Sequence, residues 1–443
     1  MGKYFGTDGF RGEANCVLTA ERAFAVGRFV GAAHRGQEIL IGRDTRRSSP
    51  MLEQALAAGL TASGANVCLP GVLPTPAVSF AVKQLGFGGG VMISASHNPY
   101  TDNGIKLFDG KGEKPTDAAL EALEEYLDGG AAEPPLAHGR EIGTVHGAPE
   151  VAEAYLSYLR GAVKGNFKGL RVGLDTANGS AAAMAPSLFH ALGATVTAIH
   201  TAPDGCNINR ACGSTHLHDL QQLVVAGGLD VGFAFDGDAD RCIAVNARGE
   251  VVDGDAILYI MGRHRQACGD LTGHAVVTTV MSNLGLQKAL EPLGIACLQT
   301  AVGDRYVRER MQKSGAVLGG EPSGHIIFGD LSDTGDGMLT ALLLAERICR
   351  EGPLHTLTRG YEPYPQLVLN LAVTDKGAVM GDGRILTAVK GLESALNGSG
   401  RLLVRASGTE PVIRVMVEAK EPQSCREYAE RVRKIIETGG YLL

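Results

Sequence analysis

The chain has 443 residues, of which 44% are hydrophobic and 20% charged, and its formal net charge is −7. This length exceeds the size at which one hydrophobic core stops growing, so several domains are expected. The acidic balance argues against nucleic acid or an anionic membrane as a partner, because both favour a basic face. No apolar run approaches the roughly 20 residues of a membrane helix, and the N-terminus has no stretch of signal-peptide type. Nine scattered cysteines without a CxxC pair are typical of reduced thiols, so a cytoplasmic protein is predicted.

The first 148 residues alternate between helical and strand patterns. Thr19 predicts the N-cap of a helix that extends to about His34, with Phe24 among the residues on its apolar side. Ser49 and Pro50 predict the N-cap and first turn of a second helix. A third helix is expected after Thr116. Short apolar runs of buried-strand length occupy residues 38–41, 66–69 and 90–94.

The rest of the chain predicts two more α/β units and a smaller C-terminal unit. Strands are expected at 170–175, 195–199 and 231–235 in the second unit, and at 274–280, 296–299 and 316–319 in the third. A long helix over 335–350 closes the third unit, and residues 361–365 are typical of a linker. The C-terminal unit is predicted as strand, helix, strand, strand and helix. We therefore predict an α/β protein with domains at 1–148, 149–252, 253–363 and 364–443.

Each large unit has an apolar strand that ends abruptly in a glycine-rich polar loop. The three segments are Val91–Pro99, Phe233–Arg241 and Val317–His325. Ligands of open α/β sheets gather at strand ends, so three such units around one cleft would each contribute a loop.

The strongest chemical signal is the run Asp236-Gly-Asp238-Ala-Asp240-Arg241 after a buried strand. Three carboxylates at alternating positions repel one another, and a bound cation would relieve the repulsion. Hard oxygen ligands without a nearby His or Cys suit Mg²⁺. A solvated acidic turn is the alternative interpretation, and the spacing does not fit a calcium EF-hand.

A second signal is Ser94-Ala-Ser96-His97-Asn98-Pro99, followed ten residues after Ser96 by Lys106. The functional interpretation is an exposed serine nucleophile with a histidine beside it, whereas the plain interpretation is a turn serine. Since no GxSxG elbow is present, a serine-hydrolase triad is poorly supported.

Three further loops carry groups that bind phosphates or sugars. Two arginines, two hydroxyls and a glycine amide flank one tight loop, and arginine forks bind phosphate bidentately; these residues are Arg405, Ser407, Gly408, Thr409 and Arg414. A second loop offers a carboxylate, a hydroxyl and an imidazole, from Glu321, Ser323 and His325. A third places Arg11 in a glycine-framed loop. A polar hairpin or an ordinary turn would account for each pattern taken alone.

Together and in this order, the motifs from Gly6 to Arg414 resemble those of the α-D-phosphohexomutase family. The resemblance implies three related α/β domains with mixed sheets around a central cleft, and a smaller α+β C-terminal domain. It implies a phosphoryl transfer between two positions of a hexose through a phosphoserine at Ser96. The implied Mg²⁺ ligands are Asp236, Asp238, Asp240 and an oxygen of the phosphoserine.

The resemblance also assigns roles to the remaining residues. Lys106 and His325 match positions of proton transfer, and Arg11 matches a position near the phosphoserine, where Arg241 would assist. Glu321 and Ser323 match contacts to sugar hydroxyls. The loop that holds the non-reacting phosphate matches Arg405, Ser407, Gly408, Thr409 and Arg414.

Within the family, the sequence is most similar to the branch that acts on amino sugars, on the route to cell-wall precursors. Supporting features are Ser94 at the start of the serine motif, Asn207-Ile-Asn209, Cys212–His216 and Val302–Val307. The implied substrate is a small hexosamine phosphate, glucosamine 6-phosphate, with glucosamine 1,6-bisphosphate as intermediate and activator. A homodimer is compatible with this interpretation.

Three alternatives stay open at this point. The branch acting on mannose and glucose phosphates shares the mechanism. A sugar phosphatase with Asp236 as nucleophile would leave the Ser96 and Arg405 motifs unexplained. The third alternative is a sugar-phosphate binding protein without catalysis.

Overall fold

The computed structural model describes residues 2–6, 8–396, 398–407 and 412–443. The chain divides into two compact units. The first comprises Met1–Met281 and Leu293–Arg359, and the second comprises Ser282–Pro292 and Gly360–Leu443. Strands and helices are numbered along the chain. Within the described ranges, no helix combines the length and the apolarity needed to cross a membrane.

The first sheet has seven strands. Its elements are β1 Phe5–Gly6, β2 Gly9–Glu13, α1 Ala20–Ala33, β3 Glu38–Arg43, α2 Ser49–Ala62, β4 Asn66–Val72, α3 Thr75–Leu85, β5 Gly89–Ile93, β6 Asp102–Phe108, α4 Asp117–Leu127 and β7 Val145–Gly147. The strand order is β1-β2-β6-β5-β3-β4-β7. Strands β5, β3, β4 and β7 are parallel to one another. Strands β6, β2 and β1 follow beyond β5, and each pairs antiparallel with its neighbour. The sheet is therefore mixed, and the three strands predicted before residue 95 correspond to β3, β4 and β5.

Helix α1 begins where it was predicted, but its buried face differs. The Thr19 hydroxyl accepts the Arg22 backbone N–H at 3.3 Å, which confirms the N-cap. Phe24, predicted on the apolar side, is 40% exposed. The reason is a close contact with α2, because a Cβ on Gly27 would lie 2.4 Å from the carbonyl oxygen of Leu56. Val26, Phe29 and Val30, also predicted on the apolar side, do pack in the core, and glycines form the part of the face where the two helices touch backbone to backbone.

The predicted N-cap of α2 is wrong by one residue. Ser48 holds the N-cap position and makes no side-chain cap hydrogen bond, while Ser49 is the first helical residue. The Ser49 hydroxyl instead donates to Asp44 Oδ1 at 2.9 Å. The Ser49 hydroxyl therefore binds a side chain five residues earlier and does not cap the helix.

The second sheet has five strands, in the order β12-β11-β10-β8-β9. Its elements are α5 Glu150–Ala162, β8 Arg171–Asp175, α6 Met184–Ala191, β9 Thr195–Ile199, α7 His218–Ala226, β10 Val231–Phe235, β11 Cys242–Asn246 and β12 Val251–Val252. The three predicted strands correspond to β8, β9 and β10. Strand β10 is buried at all five positions, between parallel β8 and antiparallel β11.

The third sheet has four strands, in the order β14-β13-β15-β16. The elements of this part of the chain are α8 Gly254–Cys268, β13 Ala275–Thr279, α9 Leu284–Leu290, β14 Ala296–Thr300, α10 Asp304–Ser314, β15 Leu318–Gly320, β16 Ile326–Phe328, α11 Gly337–Glu351 and α12 Leu354–Leu357. The predicted strands and the long helix correspond to β13, β14, β15 and α11. Helix α9 lies in the segment that belongs to the second unit.

The second unit has a three-stranded antiparallel sheet, in the order β17-β19-β18. Its elements are β17 Gln366–Ala372, α13 Lys376–Gly381, α14 Gly383–Leu396, β18 Gly400–Ala406, β19 Val412–Ala419 and α15 Pro422–Thr438. The predicted order of strands and helices is found, except that the first helix is divided into α13 and α14.

A buried carboxylate attaches residues 282–292 to the three-stranded sheet of the second unit. Glu418 Oε2 accepts the Leu284 backbone N–H at 3.0 Å and lies 3.0 Å from Arg401 Nη2. Arg401 also donates to the Ser282 carbonyl at 2.8 Å. The segment lies inside the range predicted for the third domain, and the four domain boundaries stay predictions.

The N-cap of α11 leads to a prediction about stability and pH. Asp336 accepts the Leu339 backbone N–H at 2.9 Å and the Tyr155 hydroxyl at 2.7 Å. Burial nevertheless raises the pKa of its carboxyl from 3.8 to about 6. Since the folded state then binds the proton more tightly than the unfolded chain, this group's stabilisation is complete below pH 4 and is lost as the pH rises to about 6. The change is at most about 3 kcal/mol.

We expect the variant Asp336→Asn to lack this pH-dependent component while keeping an acceptor for the cap. Urea denaturation between pH 4 and 7 would measure the free energy of unfolding of both proteins. The wild-type value should fall relative to that of the variant as the pH rises. Asp375→Asn, which alters the exposed N-cap of α13, is the control. A constant difference between wild type and Asp336→Asn would contradict the prediction.

Candidate active site

Loops from all three sheets of the first unit meet at one place. We call residues 94–99, after β5, the serine loop; residues 236–241, after β10, the aspartate loop; and residues 320–325, after β15, the third-sheet loop. The Ser96 hydroxyl donates to Asp236 Oδ2 at 2.5 Å, which joins the first two loops. His325 Nδ1 lies 3.7 Å from Asp240 Oδ1, which joins the second and third. The predicted convergence of strand-end loops is therefore found.

Ser96 lies at the centre of this convergence and is fully buried. Its backbone has a φ of +52°, in the left-handed region that non-glycine residues seldom adopt. Its N–H donates to Ser94 Oγ at 2.9 Å. The prediction of an exposed serine is wrong for this arrangement, because the aspartate loop covers the hydroxyl. Strained backbone of this kind is a recurrent feature of active sites.

His97 lies beside this hydroxyl, with Nδ1 3.4 Å from Ser96 Oγ. Burial lowers the pKa of His97 to about 4, and the neighbouring charges of Arg241 and Arg11 contribute to the decrease. The imidazole is therefore neutral near pH 7, and it adds no positive charge beside the serine.

The three predicted metal ligands are buried together. Asp236, Asp238 and Asp240 each offer a carboxylate oxygen, and these oxygens lie within 4.8 Å of one another. The pKa of Asp236 is raised well above its ordinary value by burial and then by the charges of Asp240 and Asp238. Among the described residues, nothing donates a hydrogen bond to Asp238 Oδ1 or Asp240 Oδ1. Buried carboxylate oxygens without donors fit a hard divalent cation such as Mg²⁺.

Lys106 points into the same carboxylates. Its Nζ lies 2.8 Å from Asp238, 3.2 Å from Asp240 and 3.2 Å from Asp8. Burial alone would lower the pKa of Lys106, but the charges of Asp238, Asp8 and Asp240 raise it well above its ordinary value. The side chain is therefore an ammonium group held by three carboxylates, and the structure brings it to the aspartate loop.

Asp8 links Arg11 to this cluster. Arg11 donates to Asp8 Oδ2 through Nη2. Lys114 Nζ lies 3.1 Å from Asp8 and 2.6 Å from Asp304, so a chain of alternating charges leads to the third sheet. Lys114 was missed by sequence reasoning, and neither Asp8, in the glycine-framed loop of Arg11, nor Asp304, in the segment Val302–Val307, was singled out. Only the shared partners, which are distant along the chain, reveal them.

His325 faces Asp240 on one side and the Gly335 backbone on the other. The Gly335 N–H donates to Nε2 at 3.0 Å, which requires an unprotonated Nε2. Burial lowers the pKa of His325, but Asp240 and other carboxylates raise it to about 9, which favours an imidazolium. The hydrogen bond from Gly335 fits a ring with its proton on Nδ1, and the neighbouring carboxylates favour a second proton on Nε2, so Nδ1 carries a proton in either form.

The other predicted residues of the third-sheet loop and aspartate loop lie around this histidine. Glu321 Oε1 accepts the Gly303 N–H at 3.1 Å. The Ser323 hydroxyl is buried and has no hydrogen-bond partner in the described part of the chain. Arg241 Nε lies 3.8 Å from Asp240 Oδ1. These side chains are available to a polar ligand that binds beside His325 and the aspartate loop.

The predicted phosphate-binding residues lie in the second unit. Arg405 on β18 and Arg414 on β19 are directly opposite in the ladder, so their side chains leave the same face of the sheet. The Ser407 N–H donates to the Val412 carbonyl at 2.9 Å. Its carbonyl accepts from Lys376 Nζ at 2.7 Å, a cation that sequence reasoning missed. Gly408 and Thr409 lie outside the described residues.

Gly237 lies where the aspartate loop contacts the serine loop. A Cβ at this position would lie 2.6 Å from the Ser96 carbonyl oxygen and 2.8 Å from Ile208 Cδ1. A methyl group there would push the two loops apart, and displacements of about 1 Å cost active sites up to about 100-fold in rate.

We therefore expect Gly237→Ala to lower the turnover number at least about 10-fold while the protein still folds. Steady-state kinetics and circular dichroism would measure the two properties. Gly161→Ala is the matched control, since a Cβ at Gly161 meets nothing within 4 Å. Equal turnover in both variants would show that the loops tolerate separation.

Comparisons with known proteins agree with this arrangement. Four family models match in order, each described as phosphoglucomutase/phosphomannomutase: alpha/beta/alpha domain I over residues 2–133, domain II over 153–249, domain III over 253–364 and the C-terminal domain over 368–435. The phosphoglucosamine mutase of Lachnoclostridium phytofermentans is 50% identical, with 100% of both chains covered. The phosphoglucosamine mutase of Bacillus subtilis strain 168 is 47% identical, with 98% of both covered.

Solved structures share the fold over nearly the whole chain. A phosphoglucomutase/phosphomannomutase family protein from Burkholderia thailandensis has a TM-score of 0.81 at 24% identity, covering 99% of this chain and 98% of that one. The N-acetylphosphoglucosamine mutase of Aspergillus fumigatus, solved with GlcNAc-6P and magnesium, has a TM-score of 0.70 at 18% identity, covering 99% and 96%. With four matching domain models and full-length relatives at half identity, the chain belongs to the phosphoglucomutase/phosphomannomutase family, as the resemblance implied.

Proposed function

We propose that the protein is a phosphoglucosamine mutase, which interconverts glucosamine 6-phosphate and glucosamine 1-phosphate through a phosphoserine at Ser96. The observation that carries the proposal is the Ser96 hydroxyl, held 2.5 Å from Asp236 among three buried carboxylates. The choice of substrate is supported by relatives named phosphoglucosamine mutase at 47–50% identity.

The reaction consists of two phosphoryl transfers in opposite directions. In the first, O1 of glucosamine 6-phosphate forms a bond to phosphorus, the bond between phosphorus and Ser96 Oγ breaks, and the O1 proton passes to a base. The product is glucosamine 1,6-bisphosphate and a serine alkoxide that takes up a proton. In the second transfer, Ser96 Oγ attacks the 6-phosphate, and glucosamine 1-phosphate leaves with a proton on O6. Atoms and charges balance, so the enzyme ends phosphorylated as it began.

The residues around Ser96 supply the charges and protons that these transfers need. Phosphoserine carries about −1.5 to −2 charges near neutral pH, and Asp236, Asp238 and Asp240 would hold a Mg²⁺ ion that neutralises part of it. Arg11 and Arg241 add positive charge beside the transferred group. We assign the proton transfers to Lys106 and His325, because Lys106 Nζ lies 2.8 Å from Asp238 and His325 Nδ1 lies 3.7 Å from Asp240, both in the aspartate loop. Positioning and charge neutralisation are the main contributions to phosphoryl transfer in general.

Substrate binding is divided between two kinds of residue. Glu321 and Ser323 bind sugar hydroxyls, and the Ser323 hydroxyl, which has no hydrogen-bond partner among the described residues, supports this role. The second unit binds the phosphate that is not reacting, through Arg405, Arg414 and Ser407, together with Gly408 and Thr409 of the sequence motif. The enzyme works in the cytoplasm on a free small molecule, with glucosamine 1,6-bisphosphate as activator.

A parallel mutase assay tests the proposal. Glucosamine, glucose and mannose 6-phosphates would be compared at equal concentration, with Mg²⁺ and a trace of the matching 1,6-bisphosphate. We expect a clear preference for glucosamine 6-phosphate. Faster turnover of glucose or mannose 6-phosphate would keep the mechanism and assign the chain to the phosphomannomutase/phosphoglucomutase branch. Turnover of none of the three would overturn the proposed function.

A further inference from the structure

The serine loop is held from behind by a buried arginine that does not reach the reacting groups. Arg46 is fully buried, and its Nε pairs with Asp44 Oδ2 at 2.8 Å. Its two terminal nitrogens donate to four backbone carbonyls, those of Pro99, Asp102, Ser96 and Asn98. All five N–H groups of the guanidinium therefore have acceptors, which a lysine ammonium with three donors could not match.

A residue between β9 and α7 contributes a further donor to the same loop. Asn209 Nδ2 donates to the Ser96 carbonyl at 2.8 Å and to the Asn98 carbonyl at 3.0 Å. These are the two carbonyls that Arg46 Nη2 binds, each at 2.9 Å. Since a carbonyl oxygen has two lone pairs, both oxygens are saturated. Arg46 and Asn209 thus form a clamp, which we define as these two side chains on these two carbonyls.

The clamp bears directly on the conformation that Ser96 needs. A left-handed φ, here +52°, is unfavourable for a non-glycine residue and persists only where the surroundings enforce it. With its carbonyl held by two donors, Ser96 projects its hydroxyl toward Asp236. The Asp44 carboxylate completes the support, because it also accepts the Ser94 hydroxyl at 2.7 Å, and Ser94 Oγ accepts the Ser96 N–H.

We propose that Arg46 and Asn209 are positioning residues for phosphoryl transfer, which hold Ser96 in its left-handed conformation against the aspartate loop. The inference rests on the proposed function, since it concerns the same serine. Neither side chain acts on the sugar. Weakening the clamp therefore lowers the rate of transfer and leaves the binding of the hexosamine phosphate unchanged.

The test compares Arg46→Lys and Asn209→Ala with the wild type as full-length, Ser96-phosphorylated enzymes. Arg46→Lys keeps the charge and loses the planar fork, whereas Asn209→Ala removes only the second donor. Leu56→Ala, in the hydrophobic core of the first unit, is the control for lost stability without loss of the clamp. The fraction of Ser96 that is phosphorylated would be measured by mass spectrometry and matched between the proteins. The kcat, the KM and the single-turnover rate of phosphoryl transfer to glucosamine 6-phosphate would then be measured below the Tm of each protein.

We expect both clamp variants to lose about 10- to 100-fold in kcat and in single-turnover rate, with KM within about twofold of wild type. Leu56→Ala should lower Tm and keep kcat. Wild-type rates in both clamp variants would overturn the inference, as would an equal loss of rate in Leu56→Ala, because the effect would then follow stability alone. Failure of the proposed function is distinguishable, since the wild type itself would be inactive on all three sugar phosphates.

Discussion

Replacing Ser96 with alanine is expected to abolish mutase turnover, by at least about 10⁴-fold, because the nucleophile of both transfers is removed. The fold should persist. The side chain contributes one hydrogen bond, to Asp236, and alanine accepts a left-handed φ at a cost similar to that of serine. Steady-state assays with glucosamine 6-phosphate and circular dichroism would measure the two properties.

The control for this experiment is to identify the residue that carries the phosphoryl group. Wild type treated with ³²P-labelled sugar 1,6-bisphosphate should carry acid-stable label, and Ser96→Ala should carry none. Ser94→Ala, which removes the neighbouring hydroxyl of the same loop, should keep the label on Ser96. A label that survives in Ser96→Ala and is lost with hydroxylamine would indicate an aspartyl phosphate and a nucleophilic Asp236.

Replacing Asp238 with asparagine is expected to produce the second largest loss, at least about 100-fold in activity at a fixed Mg²⁺ concentration. Asp238 is fully buried, and no residue in the described part of the chain donates a hydrogen bond to its Oδ1. An amide is the same size but carries no charge, so the site loses one of its three negative ligands. Changes to outer-shell partners already cost metal sites 10- to 100-fold, and a direct ligand should cost at least as much.

Calorimetric titration with Mg²⁺ would show whether the loss of activity follows the loss of the ion. We expect weaker binding in Asp238→Asn, no turnover by the wild type in EDTA, and recovery when Mg²⁺ is added back. Asp270→Asn, at an exposed position, should behave as wild type in both assays. Full wild-type activity in EDTA would contradict the assignment of a metal site to the aspartate loop.

Much of the fold was predictable because its signals are local. Buried strands such as β10 consist of short apolar runs bounded by glycine and polar residues, so Val231–Phe235 could be recognised without partners. Thr19 and Thr116 cap their helices through hydrogen bonds to residues three positions away. The N-cap signal at Ser49 failed because its hydroxyl donates to Asp44, a buried carboxylate just before the helix that also accepts from Ser94 and Arg46.

The residues of the candidate site also fall into two groups, those that a local pattern reveals and those that only the fold brings together. Asp236, Asp238 and Asp240 lie within five residues, and their mutual repulsion makes a cation site recognisable from the sequence. Asp304 and Lys114 could not be found in this way, because they are 190 residues apart and meet only in the folded chain. The burial of Ser96 was likewise unpredictable, since the aspartate loop that covers it follows 140 residues later.

The chemical groups of this protein can be identified without a structure: the serine, the three aspartates, the arginine loop and the order of α/β units that carries them. Their types and spacings are properties of the chain, so they indicate a reaction class before any folding is considered. Which of these groups touch one another depends on the folded arrangement. It brought Lys106 to the aspartate loop, saturated the guanidinium of Arg46 and held Ser96 in a left-handed conformation. These features depend on hydrogen bonds and charges between distant segments, and their energies exist only once the segments are packed together.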